Sequence, residues 1–112
     1  MKVNVDFAQT VSLKHHYFDT VIDAIITDEN DVALLKRILN GRAYKESPSC
    51  GFGLSTSIAF SDEARNVFLC PARDGCPLVE VSTTKLYLRL TTEERELLDQ
   101  ILAKYGIFFP CI

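Results

Sequence analysis

The chain lacks the short signatures by which reaction chemistry is usually read from sequence. It holds four cysteines but no Cys-x-x-Cys pair, so neither a thioredoxin-like redox motif nor the knuckles of a structural zinc site are present. Gly51-Phe52-Gly53 has no third glycine three residues on, where Thr56 stands and a strand is expected. A dinucleotide fingerprint needs both that glycine and a following helix. A cysteine phosphatase loop needs an arginine six residues after its cysteine, yet Cys50 is followed there by Thr56 and Cys70 by Cys76. No apolar run approaches the length that spans a bilayer, and Met1-Lys2-Val3-Asn4-Val5-Asp6 lacks the apolar stretch of a secretion signal. No Lys/Arg cluster occurs and the formal charge is -3. Phosphate binding calls for a basic face, so a nucleic-acid partner is not expected. There is no internal repeat and no low-complexity tract.

What remains is ordinary globular composition, 47% hydrophobic and 24% charged over 112 residues. That length makes one domain, 1–112, with room for a real core. With Met1 as the native start, the expectation is a soluble, cytoplasmic protein with reduced cysteines at rest.

Two helices are written plainly. Asp28 is a good N-cap, Asp31 suits the first turn, and Val32, Leu35 and Leu39 repeat at helical spacing beside Leu34 and Ile38. Asn40-Gly41 is the stop. The second helix opens on the capping box Thr91 and Glu94, carries Leu97, Leu98, Ile101, Leu102 and Tyr105, and ends at Gly106. Strands are read at Val3–Phe7 and Thr20–Thr27, and Gly41–Gly53 reads as a long connection.

Between the helices lies a meander of four strands, 54–60, 66–72, 78–81 and 85–90. Placing the first turn at Asp62-Glu63 or one residue later sets Ile58 opposite Phe68 and Thr56 opposite Cys70. A turn at Asp74-Gly75 sets Phe68 opposite Val81 and Cys70 opposite Val79. Val81 then meets Leu86 and Val79 meets Leu88. Side chains alternate across a strand, so Phe68 and Cys70 join Ile58, Phe60, Val79, Val81, Leu86, Leu88 and Leu90 on one apolar face. The expected fold is α+β: an antiparallel meander of about four strands, extended by one or two N-terminal strands, with two helices packed on one face.

In this register Cys50 and Cys76 approach one end of the sheet, and an extended tail brings Cys111 toward them. Three readings of these cysteines stand: packed or half-exposed free thiols; a disulfide, Cys50–Cys76 or Cys50–Cys111; and a zinc site with His15 or His16 as fourth ligand. Adjacent histidines on a strand point to opposite faces and do not chelate one ion together. Each is expected at the surface. Asp28, Asp31, Glu93 and Glu94 are accounted for by capping and dipole effects.

The loop end of the sheet is the candidate binding site: Tyr44, Cys50, Phe52, Arg73, Asp74 and Cys76. Aromatics beside an arginine fork suit a protein partner or a small anionic ligand. The expected function is a non-enzymatic binding module with no cofactor and no membrane contact. The alternative is a thiol-dependent activity, redox sensing or nucleophilic, at Cys50 or Cys76.

Overall fold

The structure is a computed structural model and describes residues 2–17, 19–46, 56–72 and 76–107. Both helices form where their caps are written. In α1 (Glu29–Leu39) the Asp28 carboxylate accepts the backbone N–H groups of Asn30 and Asp31, at 2.8 and 3.1 Å. In α2 (Thr92–Lys104) the capping box is complete. Thr91 Oγ1 accepts from Glu94 N at 3.1 Å, and Glu94 Oε1 accepts from Thr91 N at 2.8 Å. Gly106, at φ 85°, closes α2 by sending its N–H to Ala103 O while Ile107 N–H reaches Leu102 O. These are the two bonds of a Schellman stop, and the left-handed position is why a glycine stands there.

The remaining elements are strands: β1 (Lys2–Val3), β2 (Thr10–Tyr17), β3 (Thr20–Ile26), β4 (Gly41–Tyr44), β5 (Thr56–Ser61), β6 (Asn66–Pro71), β7 (Leu78–Val81) and β8 (Leu86–Arg89). They make one antiparallel sheet in the order β1-β4-β8-β7-β6-β5-β2-β3. The fold is α+β as expected, with a wider sheet. β2 and β4 are additions to the sequence reading. The N-terminal strand is shorter than Val3–Phe7, because Val5 N–H leaves the ladder for Asn40 Oδ1 at 2.6 Å. Ala8 N–H then turns back onto Val5 O.

One face of the sheet and both helices build a single buried cluster. Val11, Leu13, Ile58, Phe60, Leu69, Val79, Val81 and Leu88 come from the strands, Leu35, Ile38 and Leu39 from α1, and Leu98, Ile101 and Leu102 from α2. The expected face is correct on β5, β7 and β8 and inverted on β6. Ile58 pairs with Leu69, not Phe68, and Leu69 with Val81. Both flanking pairings are offset by one residue from the expected register: the first turn falls at the later of its two expected placements, which sets Ile58 against Leu69. Asp62 stands before the first turn, its carboxylate accepting Ala64 N and Arg65 N at 2.8 and 2.7 Å. This centres the turn on Glu63-Ala64, the usual place for an Asp ahead of a turn. The second connection closes on the Ala72 N–H to Leu78 O bond and so holds five residues, 73–77, an odd number. The two shifts cancel for β5 against β7 and leave β6 alone turned over. Phe68 is 41% exposed in consequence.

Cys70 therefore points away from the core face, opposite Glu80. It is nonetheless buried, as are Ala59, Ala72 and Leu78, and all four stand apart from the core cluster. The outer face thus carries some buried apolar residues among its polar ones.

Candidate functional site

Of the residues expected at the loop end, Cys50, Phe52, Arg73 and Asp74 lie outside the described residues, as do Ser49, Phe108, Phe109 and Cys111. Tyr44 is 54% exposed on the outer face opposite Tyr87. Cys76 adjoins the Leu78–Arg89 rung of the sheet, two rungs from Tyr87. Cys76 is disulfide-bonded, and Cys70 is a buried thiol outside any disulfide. A sulfur held in a disulfide is no thiolate, so the thiol-dependent reading has no nucleophile at Cys76 in this state.

The connection that carries Cys76 is held from beneath by a residue the sequence reading passed over. Arg95 of α2 is only 4% exposed. Its Nη2 donates to Ala72 O at 2.8 Å and its Nη1 to Cys76 O at 3.0 Å, gripping both ends of the 73–75 segment. Its Nε donates to Asp99 Oδ1 one turn along the helix, at 3.1 Å. The planar fork serves two carbonyls at once, a task for which lysine lacks the geometry. The sequence clue was an arginine at position 95 within the otherwise acidic first turn of α2.

Other buried polar groups are similarly provided for. His15 lies on the core face and His16 on the outer, as strand alternation requires, but His15 is buried and not at the surface. It stands 2.8 Å from Thr56 Oγ1, and burial holds its pKa below the ordinary histidine value. Asp31 does more than favour a helix dipole. Its carboxylate accepts from Lys104 Nζ at 2.8 and 3.1 Å and from Tyr105 OH at 3.2 Å, tying the start of α1 to the end of α2. The hydrogen bond to Asp31 raises the Lys104 pKa, and burial first, then Asp31, raises that of Tyr105. Glu80 is buried on the outer face and accepts from Tyr87 OH at 3.2 Å, with Lys85 Nζ at 3.4 Å. Among the described residues, no three His, Cys, Asp or Glu side chains gather as a metal-ligating group.

A concave feature of the described surface lies elsewhere. A groove of about 570 Å³ runs between α1 and the end of the β2–β3 ribbon. Thr10, Ile25, Ile26, Val32, Ala33 and Lys36 are among the residues that line it. Lys36 is its cationic member, and that ammonium already donates to Ala8 O at 2.9 Å and Asp6 O at 3.3 Å. The groove is therefore better matched to apolar groups than to an anion.

The groove opens beside β3, which ends the sheet. Among the described residues no strand pairs with its outer side. β3 is seven residues long and pairs with β2 at every position without a bulge. It contains neither Pro nor Lys, two of the usual devices that blunt an edge. Val21 and Ile25, on its outer face, are 70% and 63% exposed, the most exposed large apolar side chains described. The opposite edge, β1, has only two residues. Thr20–Thr27 was legible as a strand, but nothing in its composition told an edge from an interior position.

No helix among the described residues is long and apolar enough to cross a membrane. Comparison with protein-family models, with curated proteins and with solved structures finds no match to this chain.

Proposed function

We propose that this protein is a non-enzymatic binding module whose partner is a protein segment, taken up along β3 and the groove between β3 and α1. The observation that carries this reading is a regular strand that has no paired strand on its outer side among the described residues, with two exposed apolar side chains beside an apolar groove. An added strand would satisfy the free backbone groups of the edge, and pockets alongside would select its side chains. Of the two ligand classes that the sequence suggests, the commitment of Lys36 to two carbonyls favours a protein segment over a small anion. The disulfide at Cys76 supports an oxidising setting rather than the cytoplasm.

The test is selection of displayed extended peptides on the whole chain, followed by amide shift mapping. Selected peptides should be rich in apolar and β-branched residues and should shift the amides of Ile25, Ile26, Val32 and Ala33. Ala33 is exposed, so Ala33→Trp narrows the groove without disturbing the core and should abolish their binding. Peptides that bind Ala33→Trp undiminished would refute the site.

A further inference from the structure

We infer that β3 also pairs with β3 of a second copy of this chain, joining two sheets edge to edge through a two-fold axis. This rests on the reading of β3 as a partner-binding edge and names one partner for it. The argument begins with the backbone. Tyr17 is opposite Thr20 across a two-residue turn, so this rung exchanges both hydrogen bonds within the hairpin. Alternation then turns the N–H and C=O groups of Thr20, Ile22, Ala24 and Ile26 toward β2. Those of Val21, Asp23 and Ile25 turn outward, and no described group accepts from or donates to them.

These three residues form a near-palindrome, apolar–acid–apolar, centred on Asp23. An antiparallel copy pairing Asp23 with its counterpart uses all seven residues of the strand. It sets Val21 opposite Ile25 twice, once on each side of the axis. Apolar β-branched residues facing each other across a rung are the favourable cross-strand pairs of a sheet, and this arrangement covers the two most exposed apolar side chains described. The one adverse rung is Asp23 against Asp23. Each of those carboxylates has Lys14 beside it on the same face, opposite it in the β2–β3 pairing. The central row of a dimer therefore reads Lys14, Asp23, Asp23, Lys14, with alternating charge at both ends and one repulsion in the middle.

That repulsion makes the register testable. Sedimentation equilibrium on the whole chain, from micromolar to near-millimolar concentration, should show a reversible monomer–dimer equilibrium. Amide exchange at Val21, Asp23 and Ile25 should slow as the dimer forms. Val21→Lys with Ile25→Lys, both at exposed positions, should weaken the dimer by at least about tenfold while leaving the unfolding midpoint of the monomer in place. Asp23→Asn should strengthen it. Asp23→Lys chains mixed with unsubstituted chains should form mixed dimers in preference to either self-pair, since only the mixture sets opposite charges on the central rung. A chain that stays monomeric throughout, with the three amides unprotected, overturns the inference; the peptide test at the groove is read separately and stands or falls by itself. Dimers insensitive to Asp23 and to the double lysine variant overturn it as well, by placing the contact elsewhere.

Discussion

Arg95 offers the sharpest test of how the Cys76 end of the sheet is held. Replacing it by alanine leaves Ala72 O and Cys76 O without these donors and empties the buried space of the side chain. Each carbonyl that loses its partner costs about 1–3 kcal/mol, more for the buried Ala72 O than for the half-buried Cys76 O, and the emptied space adds to the loss. Arg95→Ala should therefore remove about 3–5 kcal/mol, a large share of the 5–15 kcal/mol or so that keeps a domain folded. Arg95→Lys keeps the charge but sends one ammonium where a fork was needed, so it should lose about 1–3 kcal/mol. The Asp99 contact is the minor part. Its side chain is 42% exposed, and Asp99→Ala should cost no more than about 0.5 kcal/mol. Urea denaturation of the three variants, with the slope m as a check that the unfolding reaction is unchanged, gives the comparison. A loss under about 1 kcal/mol for Arg95→Ala, or a loss for Asp99→Ala as large as that for Arg95→Ala, would refute the assignment of the energy to the two carbonyls.

Three further outcomes are expected. Gly106→Ala should lower stability by about 1 kcal/mol in thermal unfolding, because the left-handed stop of α2 then carries a Cβ that would sit 3.4 Å from Ile22 Cδ1. Stability should decline as pH rises beyond about 10. The raised pKa values of Lys104, Tyr105 and Tyr87 mean that the folded state holds protons that the unfolded chain has released. Denaturant titrations across that window should show a shallower decline in Asp31→Asn, where the acceptor for Lys104 and Tyr105 has lost its charge. Finally, in protein purified without reductant, iodoacetamide should leave Cys76 unlabelled in the native state and reach Cys70 only on unfolding; native labelling of Cys76 would contradict the disulfide.

The helices were legible because their signals are local. A cap, a stripe and a stop lie within one segment, and Asp28, Thr91 and Gly106 each act as their residue types prescribe. The sheet was legible where alternation is long, and it misled where register depends on a turn. Asp62 fixes the first turn by accepting two backbone N–H groups, so Phe68 and Cys70 exchange faces with Val67 and Leu69. β2 alternates Val11 and Leu13 with Ser12 and Lys14, a usable signal that the adjacent histidines obscured. β4 sends one small residue, Ala43, into the core and leaves no period to detect. The groove and the open edge were beyond reach, because which strand ends a sheet is decided by long-range pairing and not by the strand's own residues. Arg95 and Asp31 were hidden for the same reason: their carbonyl and ammonium partners are distant in sequence.

The strand order fixes when this domain can become whole. Everything through β4 is synthesised first, and in the finished sheet that half forms two separate flanks, β1 with β4 and β2 with β3. Four later strands stand between β4 and β2, a gap of about 24 Å at the usual strand spacing. The meander is the keystone: until β5 zips onto β2 and β8 onto β4, the flanks are joined only through α1 and the chain between β1 and β2. A nascent chain halted near residue 46 would hold a ready hairpin but no closed sheet, with β2 as bare along one side as β3 is along the other.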